Sequence, residues 1–429
     1  MKEALKLKGD KVIWIIVVLF AMTSIAAVFS SSSFLAASRG TTREAIFLEQ
    51  SKSVIFGLIA LFVAYLVPLR WYRFLAIPIF GLSVIMLLML FVPAFQANLN
   101  GAVRGLKIGG HTFQVFEFVK VGVILYLAKA LELWEEVTYD FKQFALKIML
   151  PLGAVCLMVM ANSFSSALLI ALVSFLLLFF MNVGWKNLGL TIAIVVAAIG
   201  LMFGIYHAFF AGRPEAQKTS VGKLFNRFGT AEGRIVDFVN DIRGVEEVQA
   251  TEMTELEKQV MLDEKRQSDN AKVAISEGGL FGKGPGKSTQ RYSLSMAFSD
   301  FIYAFIIEEY GLLLGGIGVL ALYLIFLFRC IRLCRRCNTT FSGALIVGLS
   351  FLIVCQALLH ILVNVRLIPI TGHTLPMISH GGTAYIMLSG AVGMILSVNK
   401  QLDRQDRIKA LEQQQQEEQR QEEHTDEQS

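Results

Sequence analysis

Charge is scarce in this sequence. Only 17% of its 429 residues are acidic or basic, against 55% hydrophobic, and the mean hydropathy is +0.58. A soluble chain of this length would expose far more charge, so a water-soluble globular fold is excluded. The net charge of +5 is too small, and too concentrated at segment ends, for nucleic-acid binding. Cysteine is sparse as well, with five residues. Cys330, Cys334 and Cys337 sit among arginines in FRCIRLCRRCN, but no His or Cys follows at ligand spacing. A zinc site there lacks its fourth ligand. Reduced thiols on a basic cytoplasmic loop fit better. No internal repeat is evident, so the inverted-repeat signature of many transporters is missing.

What the chain does have is long apolar runs, each able to cross about 30 Å of hydrocarbon. Ten are read, at approximately 12–30, 54–69, 74–93, 113–131, 145–162, 165–182, 188–211, 300–328, 342–363 and 374–398. The expected fold class is an all-α polytopic membrane protein of about ten transmembrane helices, with residues 1–400 as the membrane domain. The first run follows Lys2, Lys6, Lys8 and Lys11. It is long for a cleaved signal peptide and reads as a retained anchor. With ten spans, the N-terminal lysines, Arg70 and Arg73, Lys186, the Arg329–Arg336 cluster and the basic residues from Lys400 all fall on one side. The positive-inside rule makes that side cytoplasmic, and both termini with it. Residues 31–53 and 94–112 become medium outer loops, and 212–299 a large extracytoplasmic loop between the seventh and eighth spans. Residues 245–279 have helical periodicity and no proline, which predicts an amphipathic helix near the outer surface. The Gln/Glu-rich tail, 401–429, reads as a short helical extension followed by solvated chain.

Ionisable residues at membrane depth point to function. Glu117 and Lys120 stand at i,i+3 on one apolar helix and can pair. They line a polar cavity or form a structural ion pair, and the sequence leaves both readings open. SEGGLFGKGPGKSTQRYSLSMAFSDF (276–301) combines glycines with Lys283, Lys287 and Arg291. It misses the P-loop pattern, because Phe281 stands where glycine is required and no strand precedes it. A nucleotide site is rejected; a loop touching a lipid phosphate, or a flexible hairpin, remains. NVRLIPITGHTLPMISHGGTAY (364–385) has two prolines and three glycines, which predicts irregular backbone at membrane depth. A lone histidine there, His380, is more often a structural group than a catalyst. In SDFIYAFIIEEYG (299–311), Asp300 lies ~12 Å and ~80° from Glu308 along a helix, and Glu309 lies ~180° round. These three acids cannot form one close cluster. Ser299 or Asp300 is placed to cap the helix, and Glu308 and Glu309 read as structural, facing other helices.

These segments, in this order and spacing, resemble the SEDS family of shape, elongation, division and sporulation proteins. SDFIYAFIIEEYG resembles that family's TDFIFAxxxEExG, GGLFGKGPGKSTQ its GGLxGxGxGxSxQ, and the 364–384 stretch its proline- and glycine-rich motif. The resemblance covers nearly the whole chain and is nearest the FtsW-like division branch, with the RodA-like elongation branch next. It implies a peptidoglycan glycosyltransferase that polymerises lipid II, a disaccharide-pentapeptide on undecaprenyl diphosphate, at the outer face of the inner membrane during septal wall synthesis. Lipid II flippase is the alternative function. It further implies Asp300 as catalytic base and Glu117 and Lys120 lining the same cavity. Arg104, Lys283, Ser379, Gly381 and Gly382 would contact substrate or position loops. Expected partners are a class B penicillin-binding transpeptidase and other division proteins. No cofactor is expected beyond a divalent cation at the lipid diphosphate. The chain departs from the family pattern at Gly105 (tryptophan), Val115 and Phe116 (Pro-Ser), Ala161–Ser163 (a QPD-like stretch) and His380 (tyrosine).

Overall fold

A computed structural model of the protein describes residues 9–99, 102–108, 111–134, 140–209, 255–294 and 296–426, with short pieces between 229 and 243. Its principal helices are α1 (Lys11–Ser31), α2 (Ser33–Ser38), α3 (Arg43–Leu66), α4 (Leu69–Met89), α5 (Val115–Leu133), α6 (Phe141–Met160), α7 (Phe164–Phe180), α8 (Trp185–Phe209), α9 (Glu255–Gly278), α10 (Ile302–Tyr310), α11 (Val319–Cys334), α12 (Thr340–Asn364) and α13 (Gly382–Asp426). Among the described residues, eight helical stretches are long and apolar enough to cross a membrane: α1, α3, α4, α6, α8, α10 through α11, α12 and α13. The chain is thus an integral membrane protein. Two further helices overlie predicted runs. α5 carries Glu117, Lys120, Lys129 and Glu132, and α7 has 17 residues.

Polar residues immediately before apolar runs set the helix starts. Asp10 accepts from Val12 N at 2.8 Å, Thr42 from Ala45 N at 3.3 Å, Ser163 from Ser166 N at 3.4 Å and Thr339 from Ser342 N at 3.3 Å. α12 is the central helix, with 72% of its apolar window buried, against 12% for the peripheral α8.

Several boundaries differ from expectation. α3 starts at Arg43 rather than 54, because its polar first turns lie outside any hydropathy window. The 94–112 segment is not a plain loop. Strands β1 (Gln96–Leu99), β2 (Ala102–Ile108) and β3 (His111–Gln114) form an antiparallel sheet in the order β1-β2-β3, with Gln96 opposite Leu106 and Leu106 opposite Phe113. Pairing satisfies backbone groups close to a bilayer, which a bare loop would leave open. The 300–328 span is two helices separated by a wide-turn (π) segment, Gly311–Gly318. The last span begins at Gly382, not 374, and 365–381 is irregular. The tail continues α13 as helix to Asp426, since Gln, Glu, Lys and Arg are good helix formers. The predicted amphipathic helix is α9; residues 245–254 of that prediction lie outside the described residues.

Ion pairs gather one end of the molecule. Arg329, near the end of α11, donates to Asp10 at 2.7 Å. Arg336 reaches Asp403 and Asp406 at 2.8 and 2.7 Å. The start of α1, the end of α11 and the base of the tail therefore meet.

Candidate active site

At the far end of α1 the backbone of α10 breaks. Gly311 adopts φ 78°, ψ 171°, so the carbonyls of the preceding turn lose their helical partners. The glycine-rich loop supplies replacements. Lys283 N and Gly284 N donate to Glu308 O and Glu309 O, each at 2.9 Å. In return Leu312 N and Leu313 N donate to Gly279 O and Leu280 O at 2.9 and 3.2 Å. The approach leaves no room for side chains. A Cβ on Gly282 (φ 78°) would fall 2.3 Å from Glu309 O, and one on Gly311 2.4 Å from Leu280 O. Glycine at these two positions follows from both clash and conformation.

Glu308 and Glu309 complete the docking of this loop. Glu308, 0% exposed, accepts from Lys283 Nζ at 3.2 Å, Ser288 Oγ at 2.5 Å, Thr289 N and Oγ1 at 2.7 and 3.0 Å, and Gln290 N at 3.3 Å. Glu309, also buried, accepts from Ser30 of α1 at 2.5 Å and Gly286 N at 3.0 Å, with Arg291 at 3.9 Å. The donors around Glu308 match what a buried carboxylate needs, whereas Glu309 is held through one oxygen, Oε1, and its Oε2 has no hydrogen-bond partner among the described residues. The two glutamates are structural, but they face the loop and α1, not helices generally as the sequence suggested. Lys283 is shared between Glu308, Glu277 and Thr289 Oγ1. Hydrogen bonds from Lys283 and Thr289 hold the Glu277 carboxyl below the usual range. Burial pulls Lys283 down, but its bonds to Glu277 and Glu308 carry it above the ordinary lysine value.

Asp300 lies half-buried in the turn before α10. Neither it nor Ser299 is the N-cap residue, contrary to the sequence expectation; Phe301 occupies that position, and the capping acceptor comes from another helix. Asn364, the last residue of α12, accepts from Ala304 N at 3.0 Å and donates to Asp300 O at 3.1 Å. The two preceding carbonyls are held as well. Ser379 Oγ donates to Ser299 O at 2.9 Å while accepting from Leu375 N at 2.8 Å, and His380 N donates to Phe298 O at 2.9 Å. Three successive carbonyls, 298 to 300, are thus pinned by α12 and the irregular 365–381 segment. On the other side Ala271 and Ala274 of α9 pack with Leu294, Ala297, Phe301 and Phe305. Met377 holds φ 58°, a conformation that costs a residue with a Cβ of order 1–3 kcal/mol. Tyr323 OH, donating to Pro376 O at 2.5 Å, braces that bend.

Glu117 and Lys120 form a buried ion pair at 2.6 Å. Lys120 also donates to Gln356 Oε1 at 2.6 Å, and Gln356 Nε2 to Thr374 O at 3.2 Å. Gln114 N donates to Thr383 Oγ1 at 3.1 Å, tying the sheet to the start of α13. The pair and Asp300 are therefore anchored on the same irregular segment. Arg104 lies on β2. Gly381 O accepts from Tyr385 N at 2.8 Å and Gly382 opens α13. Sequence reasoning missed Asn364, Gln356 and Ser30. The signal was present as isolated amides and hydroxyls inside apolar helices, where each must find a buried partner.

The profile of the FtsW/RodA/SpoVE cell cycle proteins matches residues 10–240 and 245–404. A probable peptidoglycan glycosyltransferase FtsW of Bacillus subtilis is 30% identical over 407 residues, spanning 93% of this chain and 92% of its own. Another so named, from Hydrogenovibrio crunogenus, is 28% identical over 358 residues, or 82% and 81% of the two chains. Among solved structures, a chain from a peptidoglycan synthase complex coordinating polymerization and crosslinking superposes with a TM-score of 0.65 at 20% identity, covering 91% of this chain and 98% of that one. The rod shape determining protein RodA of Thermus thermophilus gives 0.59 at 21%, covering 92% and 98%. The chain belongs to the FtsW/RodA/SpoVE family.

Proposed function

We propose that this protein is a peptidoglycan glycosyltransferase that lengthens glycan strands from lipid II, with Asp300 as the base. The observation that supports the reading is the pinning of carbonyls 298–300, which holds the backbone that carries Asp300, in a family whose curated relatives bear that activity in their names. The chemistry asks for one base on the acceptor hydroxyl, because the diphosphate leaving group is already good. Asp300 takes the proton of the GlcNAc 4-hydroxyl. The oxygen attacks the anomeric carbon of the donor sugar from the face opposite the diphosphate. The carbon–oxygen bond breaks, and undecaprenyl diphosphate departs with the electron pair. Two carboxylates of the glycosidase kind are unnecessary.

The basic clusters favour a cytoplasmic tail end, and with it an outer position for Asp300 and the glycine loop. Among the described residues no group of three or more His, Cys, Asp or Glu side chains is placed to hold a metal ion. A divalent ion at the substrate diphosphate is compatible with this reading, and no step here depends on one. The family's description as cell cycle proteins is in keeping with septal synthesis, and the synthase complex among the structural neighbours supports a crosslinking transpeptidase as partner. Purified protein with that partner should convert lipid II to polymer, and Asp300→Asn should abolish the product. Transbilayer movement of labelled lipid without polymer would replace this reading with that of a flippase.

A further inference from the structure

His380 occupies a position that the mechanism above leaves unused. Its ring closes a buried circuit with two other helices. Ser24 of α1 donates its single hydroxyl proton to Ile378 O at 2.9 Å. It must therefore accept from Gln50 of α3, whose Nε2 lies 2.7 Å away. That turns the Gln50 oxygen toward the ring, 2.9 Å from His380 Nδ1. A carbonyl oxygen cannot donate, so Nδ1 carries the proton. Ser24 and Gln50 are 0% and 1% exposed, which denies each group any alternative partner in water. Ring nitrogen Nε2 points to Glu49 at 3.7 Å, and Glu49 also pairs with Arg39 at 3.2 Å. The backbone N–H of His380 holds Phe298 O, two residues before Asp300, and the His380 ring meets Phe298 edge-on at 5.9 Å.

We infer that His380 is a positioning residue: its Nδ1–H bond to Gln50 locks α1 and α3 onto the segment that aims Asp300. The inference deepens the glycosyltransferase reading and rests on it for its kinetic arm alone. The required group is one donor at the Nδ1 position. Asparagine can place an amide N–H near that point, whereas glutamine reaches toward the Nε2 position instead. Tyrosine, the residue the family pattern has here, carries its hydroxyl farther out and cannot close this circuit.

The test uses the full-length protein in lipid nanodiscs. His380→Gln and Gln50→Leu should each slow polymerisation roughly tenfold in kcat with KM for lipid II little changed, as expected for a base aimed wrongly by a fraction of an ångström. Combined, they should cost little more than either alone, because both remove one bond. His380→Asn should restore most of the rate. Independently of activity, amide hydrogen exchange over 296–305 should rise in His380→Gln and Gln50→Leu and stay near wild type in His380→Asn. Glutamine and asparagine variants that behave alike in exchange, with matching thermal midpoints, would overturn the positioning role. Loss of polymerisation by the wild type with the exchange pattern intact would instead sink only the enzymatic reading.

Discussion

Asp300, in the turn before α10, and the Glu308–Glu309 pair, at the end of that helix, lie within ten residues of one another, yet their surroundings differ. Around Asp300 the protein holds the backbone, with three consecutive carbonyls fixed by Asn364, Ser379 and His380. Around Glu308 it holds the carboxylate itself, with five donor contacts at 2.5–3.3 Å. A carboxylate so saturated is a fixed structural anion. Acidity alone therefore says little about role; in one case the fold saturates the carboxylate, and in the other it fixes the main chain on which the acid stands.

The largest effect should come from Asp300→Asn. Polymer yield from lipid II should fall by at least a hundredfold with the thermal midpoint unchanged, since no packing is lost. Glu308→Gln should do the reverse in emphasis. It leaves several loop donors unmatched in a buried site, and we expect about 2–4 kcal/mol of destabilisation, read as a lowered thermal midpoint, with activity falling along with it. If Glu308→Gln left the midpoint unmoved while abolishing polymerisation, the division of roles would collapse. Lys283→Ala should be milder, about 1 kcal/mol or less, because the ammonium is partly solvated. A large rise in KM for lipid II from that variant, without a stability change, would move Lys283 into substrate contact.

The smallest effect is that of pH on loop docking. Glu277 is held below its ordinary range, so its contribution is present above about pH 4.3 and fades as pH falls through the lowered value. Lys283 is held above its range, so its contribution is full below about pH 10.4 and fades as pH rises past the elevated value. Amide exchange of residues 279–290 should accordingly be flat from roughly pH 5 to 9 after correction for intrinsic rates.

The apolar runs were legible because hydropathy and span length leave few alternatives. Each predicted run overlaps a helix among the described residues, and the Glu117–Lys120 pair followed from i,i+3 spacing alone. The sheet at 96–114 was not legible: its short strands alternate weakly and are interrupted by glycines. Nor was the break at Gly311. A glycine in an apolar helix looks tolerable until the partner loop, about thirty residues upstream, is known to enter there. Asp300 as base came from family resemblance, since helix geometry alone made it a cap. The structure moved the capping acceptor to Asn364, a long-range contact that no local pattern encodes.

Where residues 279–284 meet 308–313, the stitch between the glycine loop and the interrupted helix consists of main-chain bonds. In evolutionary terms that part of the loop is then constrained in shape more than in chemistry. Gly279 and Leu280 contribute carbonyls, while the side chains of Leu280 and Phe281 turn outward, with Phe281 82% exposed. Such positions are free to drift toward whatever lipid or partner surface a lineage presents, while Gly282 and Gly311 are not. A saturation library across 279–313 should show that division directly, with broad tolerance at Leu280 and Phe281 beside near-complete intolerance at the two glycines.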